Sequence, residues 1–233
     1  MSRSHLVIME TTPWDELLLE SMEIAVCHAR SGNTVSFFFL EDASTERRRI
    51  KALVRKIAPL SWALSARPER LLLAKFSTYI AQHGLPIKVN VVKRNLWMRG
   101  VSRPNQSQLR DLSGLKLEGI PAGKYLMSSL VTETRNAYSL PVRNLASLQR
   151  IARRFIAIVG FSRRVLSRLK PDRVVVFNGR FAENGAVVGV CEKLGIPVSF
   201  HELGGLLGRK KYFFEEWRVQ DARKNGIQAQ EKW

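Results

Sequence analysis

Residues 171–205, PDRVVVFNGRFAENGAVVGVCEKLGIPVSFHELGG, decide how the whole chain is read. Pro171 ends whatever precedes it, and Arg173 to Phe177 is a β-branched run of the kind buried on both faces of a parallel sheet. Asn178, Gly179 and Arg180 follow at once. From Ala182 to Leu194 the spacing is helical, with Ala186, Val187, Val190, Cys191 and Leu194 sharing a face. Gly195 stands where a glycine stops a helix. Ile196 to Phe200 reads as a second strand that runs into His201, Glu202 and the pair Gly204-Gly205. The pattern is a strand, helix, strand unit, and in such units ligands bind beyond the carboxyl ends of the parallel strands. Both strand ends carry polar groups here. That makes Asn178, Gly179, Arg180, His201, Glu202, Gly204 and Gly205 candidate site residues. A plain turn at Asn178-Gly179, and pairing of Glu202 with a nearby Arg, is a reading of equal weight.

Working back to the amino terminus, the same unit recurs. His5 to Met9 is a strand, Pro13 to Arg30 a helix capped by Thr12 and stopped at Gly32, and Thr34 to Leu40 a second buried strand. Glu10 and Thr11 end the first strand and are candidate substrate contacts, while Thr12 is first of all a cap. A helix begins at Ser44 or Thr45, with Arg47, Arg48, Lys51 and Arg55 on its polar face. Another covers Pro68 to Gln82, and Pro86 to Val92 is a third strand. Residues 93–120 show little periodicity and read as a long loop with about one helical turn. Repeated β-α-β units make a parallel sheet with right-handed crossovers the economical architecture. The expected fold is therefore α/β: a Rossmann-like three-layer domain with a mostly parallel sheet flanked by helices. It is expected to cover 1–210, with a helical tail over 211–233.

Leu140 to Lys170 predicts a long helix. Leu145, Leu148, Ile151, Phe155, Val159, Ser162, Leu166 and Leu169 share one side of it. Arg143, Arg150, Arg153, Arg154, Arg164 and Arg168 share the other, with no acidic residue within the helix four positions away to offset them. The charge totals agree: residues 47–170 hold 26 basic and 4 acidic residues, and the whole chain carries a net charge of +18. Such a stripe is either a solvated face or a surface for something anionic, an anionic bilayer above all. Aromatics do not alternate with the arginines, which disfavours nucleic acid as the partner.

Other chemistry is excluded or unsupported. Cys27 and Cys191 are far apart, each within a helical apolar pattern, and read as two buried thiols rather than a disulfide or a zinc site. No HExxH, paired-His, GxSxG or Asp-x-Asp motif occurs, so neither a metal nor a cofactor is expected. The segment GGLLGRKK at 204–211 lacks the phosphate-loop spacing and reads as a flexible glycine-rich turn. No secretion signal and no membrane-length apolar run is present, so the expected place is the cytoplasm, at the inner face of its membrane.

VVVFNGRFA, then LGIPVSFHELGG, then KKYFFEEW resembles the amino-terminal half of bacterial capsule and surface polysaccharide biosynthesis proteins of the glycosyltransferase-like, GT-B type. Further similar stretches are Trp14 to Leu40, Glu118 to Tyr138 and Tyr212 to Trp217. Two positions depart from the pattern, which has one Arg near Gly185 and another directly after Glu202, where this chain has Leu203. The resemblance implies a nucleotide sugar and a glycan or lipid-linked acceptor as partners. It also implies Glu202 or His201 as the base that takes the acceptor proton, and Arg180 as the group that holds a phosphate or carboxylate. In two-domain relatives the chain continues into a second Rossmann-like domain. The sequence is thus either a fragment or a protein that works as one domain.

Overall fold

The computed structural model describes residues 4–11, 15–41, 68–136, 141–206 and 209–215. The chain forms two compact units, Met1–Arg94 and Asn95–Trp233.

In the first unit, β1 (His5–Glu10), β2 (Thr34–Leu40) and β3 (Ile87–Val92) lie in the order β3-β2-β1 and pair in parallel throughout. Val7, Ile8, Val35, Phe37 and Phe39 are buried, as two-sided coverage of a parallel sheet requires. The helix α1 (Asp15–Arg30) packs on β1 and β2, and α2 (Pro68–Gln82) packs on α1 and β3. Phe76 of α2 meets Phe37 of β2 edge to face, with ring centroids 5.7 Å apart. The expected elements of this unit stand where the periodicity placed them. Thr12, and the basic helix with Arg47, Arg48, Lys51 and Arg55, lie outside the described residues.

In the second unit a helical turn, α3 (Arg94–Trp97), leads into a 3-10 turn at Ser107–Leu109 and a two-stranded hairpin, β4 (Lys116–Leu117) with β5 (Ile120–Pro121). Residues 93–120 are thus a packed segment rather than a plain loop. Trp97, Leu109, Leu117 and Ile120 are buried anchors, spaced too irregularly to show a period. The helix α4 (Gly123–Thr134) precedes a 3-10 turn at Pro141–Asn144 and the long α5 (Leu145–Leu169). The strand β6 (Arg173–Phe177) follows, then α6 (Ala182–Leu194), β7 (Val198–Leu206) and β8 (Arg209–Glu215). β6 and β7 pair in parallel, and β7 and β8 antiparallel. The strand, helix, strand reading of 171–200 therefore holds, and the class is α/β, Rossmann-like, with mostly parallel strands flanked by helices.

Three expectations need correction here. The first is the end of β7: it does not stop at Phe200 but runs to Leu206, because β8 supplies a partner for its backbone groups. Residues 204–211, expected as a flexible turn, accordingly include ladder pairs Gly204 with Lys211 and Gly205 with Lys210. The second is the tail, where 211–215 is strand instead of helix; residues 216–233 lie outside the described residues. The third is Cys27, which is exposed on α1 while Cys191 is buried. Burial pushes the Cys191 thiol up to about 12, with the Glu192 carboxylate adding to the effect. Only the thiolate reacts, so a thiol reagent at pH 8 is expected to label Cys27 quickly and Cys191 only on unfolding. Mass spectrometry that finds two fast thiols in the native protein would contradict this.

Candidate functional site at the end of β6

The second unit is built around α6, whose residues Ala182 to Cys191 are all buried. It packs on β6, on α4 and β5, and on α5. This fit depends on glycine. A Cβ at Gly185 would overlap the Tyr125 ring of α4, and one at Gly189 would overlap the Ile120 side chain of β5. A side chain at Gly185 itself therefore has no room here.

The amino end of α6 is fixed from two sides. Ser129 of α4 accepts a hydrogen bond from the Ala182 backbone N–H at 2.8 Å, the service an N-cap side chain normally gives; Phe181, which occupies that position, has none to offer. Arg154 of α5 forms an ion pair with Glu183 of α6 at 3.3 Å, with side chains only 7% and 8% exposed. Glu183 lies in the first helical turn, where a negative charge also meets the favourable end of the helix dipole.

Between β6 and α6 the chain turns sharply. Asn178 has φ +55° and Gly179 φ +67°, two left-handed residues in succession. Asn is among the few side-chain-bearing residues that take this conformation readily. Gly179 is required twice, since a Cβ there would also overlap the Phe200 ring. The Asn178 N–H donates to the His201 carbonyl of β7 at 2.9 Å, and the Gly179 N–H donates back to the Phe177 carbonyl at 2.5 Å. The turn and the end of the neighbouring strand are thereby held as one piece. Arg180 is exposed and its guanidinium lies 4.7 Å from the centre of the Phe181 ring.

These positions sort the candidates. Asn178 is 1% exposed and Gly179 is buried, so both shape the turn, and Arg180 is the charged group the turn presents to solvent. His201 is 0% exposed, with its ring 5.6 Å from that of Phe177. The His201 side chain is thus enclosed where the resemblance expects a proton acceptor. Glu202 follows in β7 opposite Phe213, and Gly204 and Gly205 lie further along the same ladder. Glu10 and Thr11 belong to the first unit; both are buried, and Glu10 accepts the Ser21 hydroxyl at 2.6 Å. Phe181 escaped the sequence reading because a single aromatic before a helix carries no period. The Ser129 and Arg154 contacts escaped it because their partners lie about fifty and thirty residues away.

The arginine stripe is broken up. Arg154 is inside the protein, Arg153 donates to the Val101 carbonyl at 3.2 Å, and Arg150 pairs with Glu133 of α4 at 2.6 Å. The acidic partners absent from the helix itself thus come from other helices, and α5 packs mainly on α6 and α4. Arg143, Arg164 and Arg168 remain exposed, as does Arg150, whose side chain is 50% exposed while paired. Among the described residues no helix is long and apolar enough to cross a membrane, and no three His, Cys, Asp or Glu side chains stand together as metal ligands would.

No family model and no curated protein matches the sequence. Among solved structures, the chain is similar to a deacetylase of the teicoplanin biosynthesis pathway, with 12% identity over 85% of this chain and 67% of that one and a TM-score of 0.42. It is also similar to the A40926 pseudoaglycone deacetylase, with 12% identity over 98% of this chain and 80% of that one and a TM-score of 0.38. A third similar structure is TcCGT1 in complex with UDP, with 10% identity over 85% of this chain but 28% of that one and a TM-score of 0.31. At identities this low the likenesses say nothing of this chain's chemistry.

Proposed function

We propose that the chain is a glycosyltransferase-like protein of surface polysaccharide biosynthesis, capsular or O-antigen. In this reading the carboxyl ends of β6 and β7 meet the sugar substrate. The observation that carries it is the Asn178-Gly179 turn: two left-handed residues tied to the next strand, at the edge where α/β proteins receive ligands. A simple strand-to-helix link needs no such geometry. Arg180, stacked on Phe181, is placed to grip a phosphate or carboxylate of a nucleotide sugar or acidic glycan through its planar fork. Glu202 takes the proton of the acceptor hydroxyl as the bond to the incoming sugar forms. The native protein is the right material for the test, assayed for transfer from a nucleotide sugar to a lipid-linked or oligosaccharide acceptor. Glu202→Gln is expected to reduce turnover by a factor of about 100 or more, the usual scale for a general base. Arg180→Ala is expected to act mainly on KM. Full activity in Glu202→Gln would end the assignment.

A second reading, a non-catalytic basic module at an anionic membrane, is favoured only by the exposed arginines along α5 and just before it. It predicts sedimentation with anionic but not neutral vesicles, reversed by salt. Charge reversal at Arg164 and Arg168 should weaken that binding, whereas Arg154 cannot contribute because it is buried.

A further inference from the structure

The opposite end of α6 carries a second feature, separated from the Asn178 turn by the length of that helix, roughly 20 Å at 1.5 Å per residue. The β4–β5 hairpin turns through Glu118 (φ +52°) and Gly119 (φ +70°), the two-residue loop with both central residues left-handed. Two cations converge on that loop: Arg163 Nη2 from α5 and Lys193 Nζ from α6 each lie 3.3 Å from the same atom, the Glu118 carbonyl oxygen. The Glu118 carboxylate stands off at 3.9 Å from Arg163, and both side chains are nearly half exposed, at 45% for Arg163 and 47% for Glu118. These three residues, with Ser167, Val190 and Leu194, line a cavity of about 510 Å³ that opens to solvent.

A carbonyl is neutral and satisfies one lone pair per donor. It brings two positive charges close together without cancelling either, and like charges at that separation repel. One carboxylate, 3.9 Å from Arg163, against two cations leaves a net positive charge in the cavity. Arg164, Arg168 and Lys170, all exposed on or just after the same helix, add to the positive field. A phosphate group resolves this. It has enough oxygens to accept from the Arg163 fork, from Lys193 and from the Ser167 hydroxyl together, and it carries the charge that the two cations lack. Gly119 itself is required by its left-handed φ of +70°.

We infer that the cavity between Arg163, Ser167 and Lys193 is a binding site for a phosphate or diphosphate group, distinct from the strand-edge site. The inference does not depend on the glycosyltransferase reading. Inorganic phosphate and pyrophosphate are the probes, titrated calorimetrically into the native protein, with vesicles containing phosphatidic acid as a separate arm. Saturable binding is expected, weakened by about tenfold or more in Arg163→Gln and in Lys193→Gln, the scale of one lost charge-assisted hydrogen bond. Arg103→Gln, which removes an exposed positive charge that does not line the cavity, should stay within about twofold of the native protein on the same grounds. Vesicle binding that inorganic phosphate displaces would make the natural source a lipid headgroup; phosphate binding without vesicle binding would make it a soluble phosphate ester. Both support the site. It is overturned if the native protein shows no saturable phosphate or pyrophosphate binding, or if all three variants lose affinity equally.

Discussion

Arg154→Met is expected to destabilise the protein by about 3–5 kcal/mol, the cost of leaving one partner of a buried ion pair alone. The Glu183 side chain is 8% exposed, and removing the guanidinium leaves its carboxylate buried without that partner. Arg154 itself is 5% exposed, so the loss is paired with poorer filling of the space its stem occupied. Denaturant unfolding should show the midpoint fall with little change in slope. The double variant Arg154→Met with Glu183→Leu removes both charges and should recover most of the loss, since apolar pairs of similar volume commonly match or exceed buried ion pairs. A single variant within 1 kcal/mol of the native protein would show that water reaches Glu183 and that the pair does not hold α6 in place.

The second large effect concerns Gly185. Alanine normally stabilises a helix interior by up to about 1 kcal/mol relative to glycine. Here the sign should reverse, because the added methyl overlaps the Tyr125 ring, which is itself buried and stacked near Phe155 with centroids 6.3 Å apart. Overpacking of this kind costs about 1–3 kcal/mol, so Gly185→Ala should be a net loss despite the gain in helix propensity. Tyr125→Leu in the same chain makes room and should restore part of it. A stabilised Gly185→Ala would mean that α4 and α6 approach less closely than the structure shows.

These two residues also show what the sequence could and could not reveal. The phenylalanine-rich run at 35–40, the β-branched run at 173–177 and the stop at Gly195 are local signals, and the structure places β2, β6 and α6 on the residues that periodicity assigns them. The extension of β7 to Leu206 is not local: it depends on pairing with β8, which a run containing Gly204 and Gly205 does not advertise. The stripe on α5 illustrates the same limit. A helical wheel places Arg154 with five other arginines, yet Glu183, about thirty residues later, draws it inward. Conversely, the glycines at 185 and 189 lower helix propensity, and only the nearness of Tyr125 and Ile120 explains them. At the candidate site the turn at Asn178-Gly179-Arg180 was readable from residue types at a strand end. The burial of His201 was not, because alternation cannot say how much of a strand end is covered.

The central claim is that the ends of β6 and β7 contact a sugar substrate, and amide NMR of the isotopically labelled native protein tests it most directly. UDP-glucose, UDP-galactose and UDP-N-acetylglucosamine would be titrated in turn, followed by a short acidic oligosaccharide. The account predicts saturable shifts at Asn178, Gly179, Arg180, Phe181 and Glu202 with at least one of them, abolished in Arg180→Ala. Signals at these five positions that stay fixed with every ligand at millimolar concentration, or that move no less in Arg180→Ala, would contradict it.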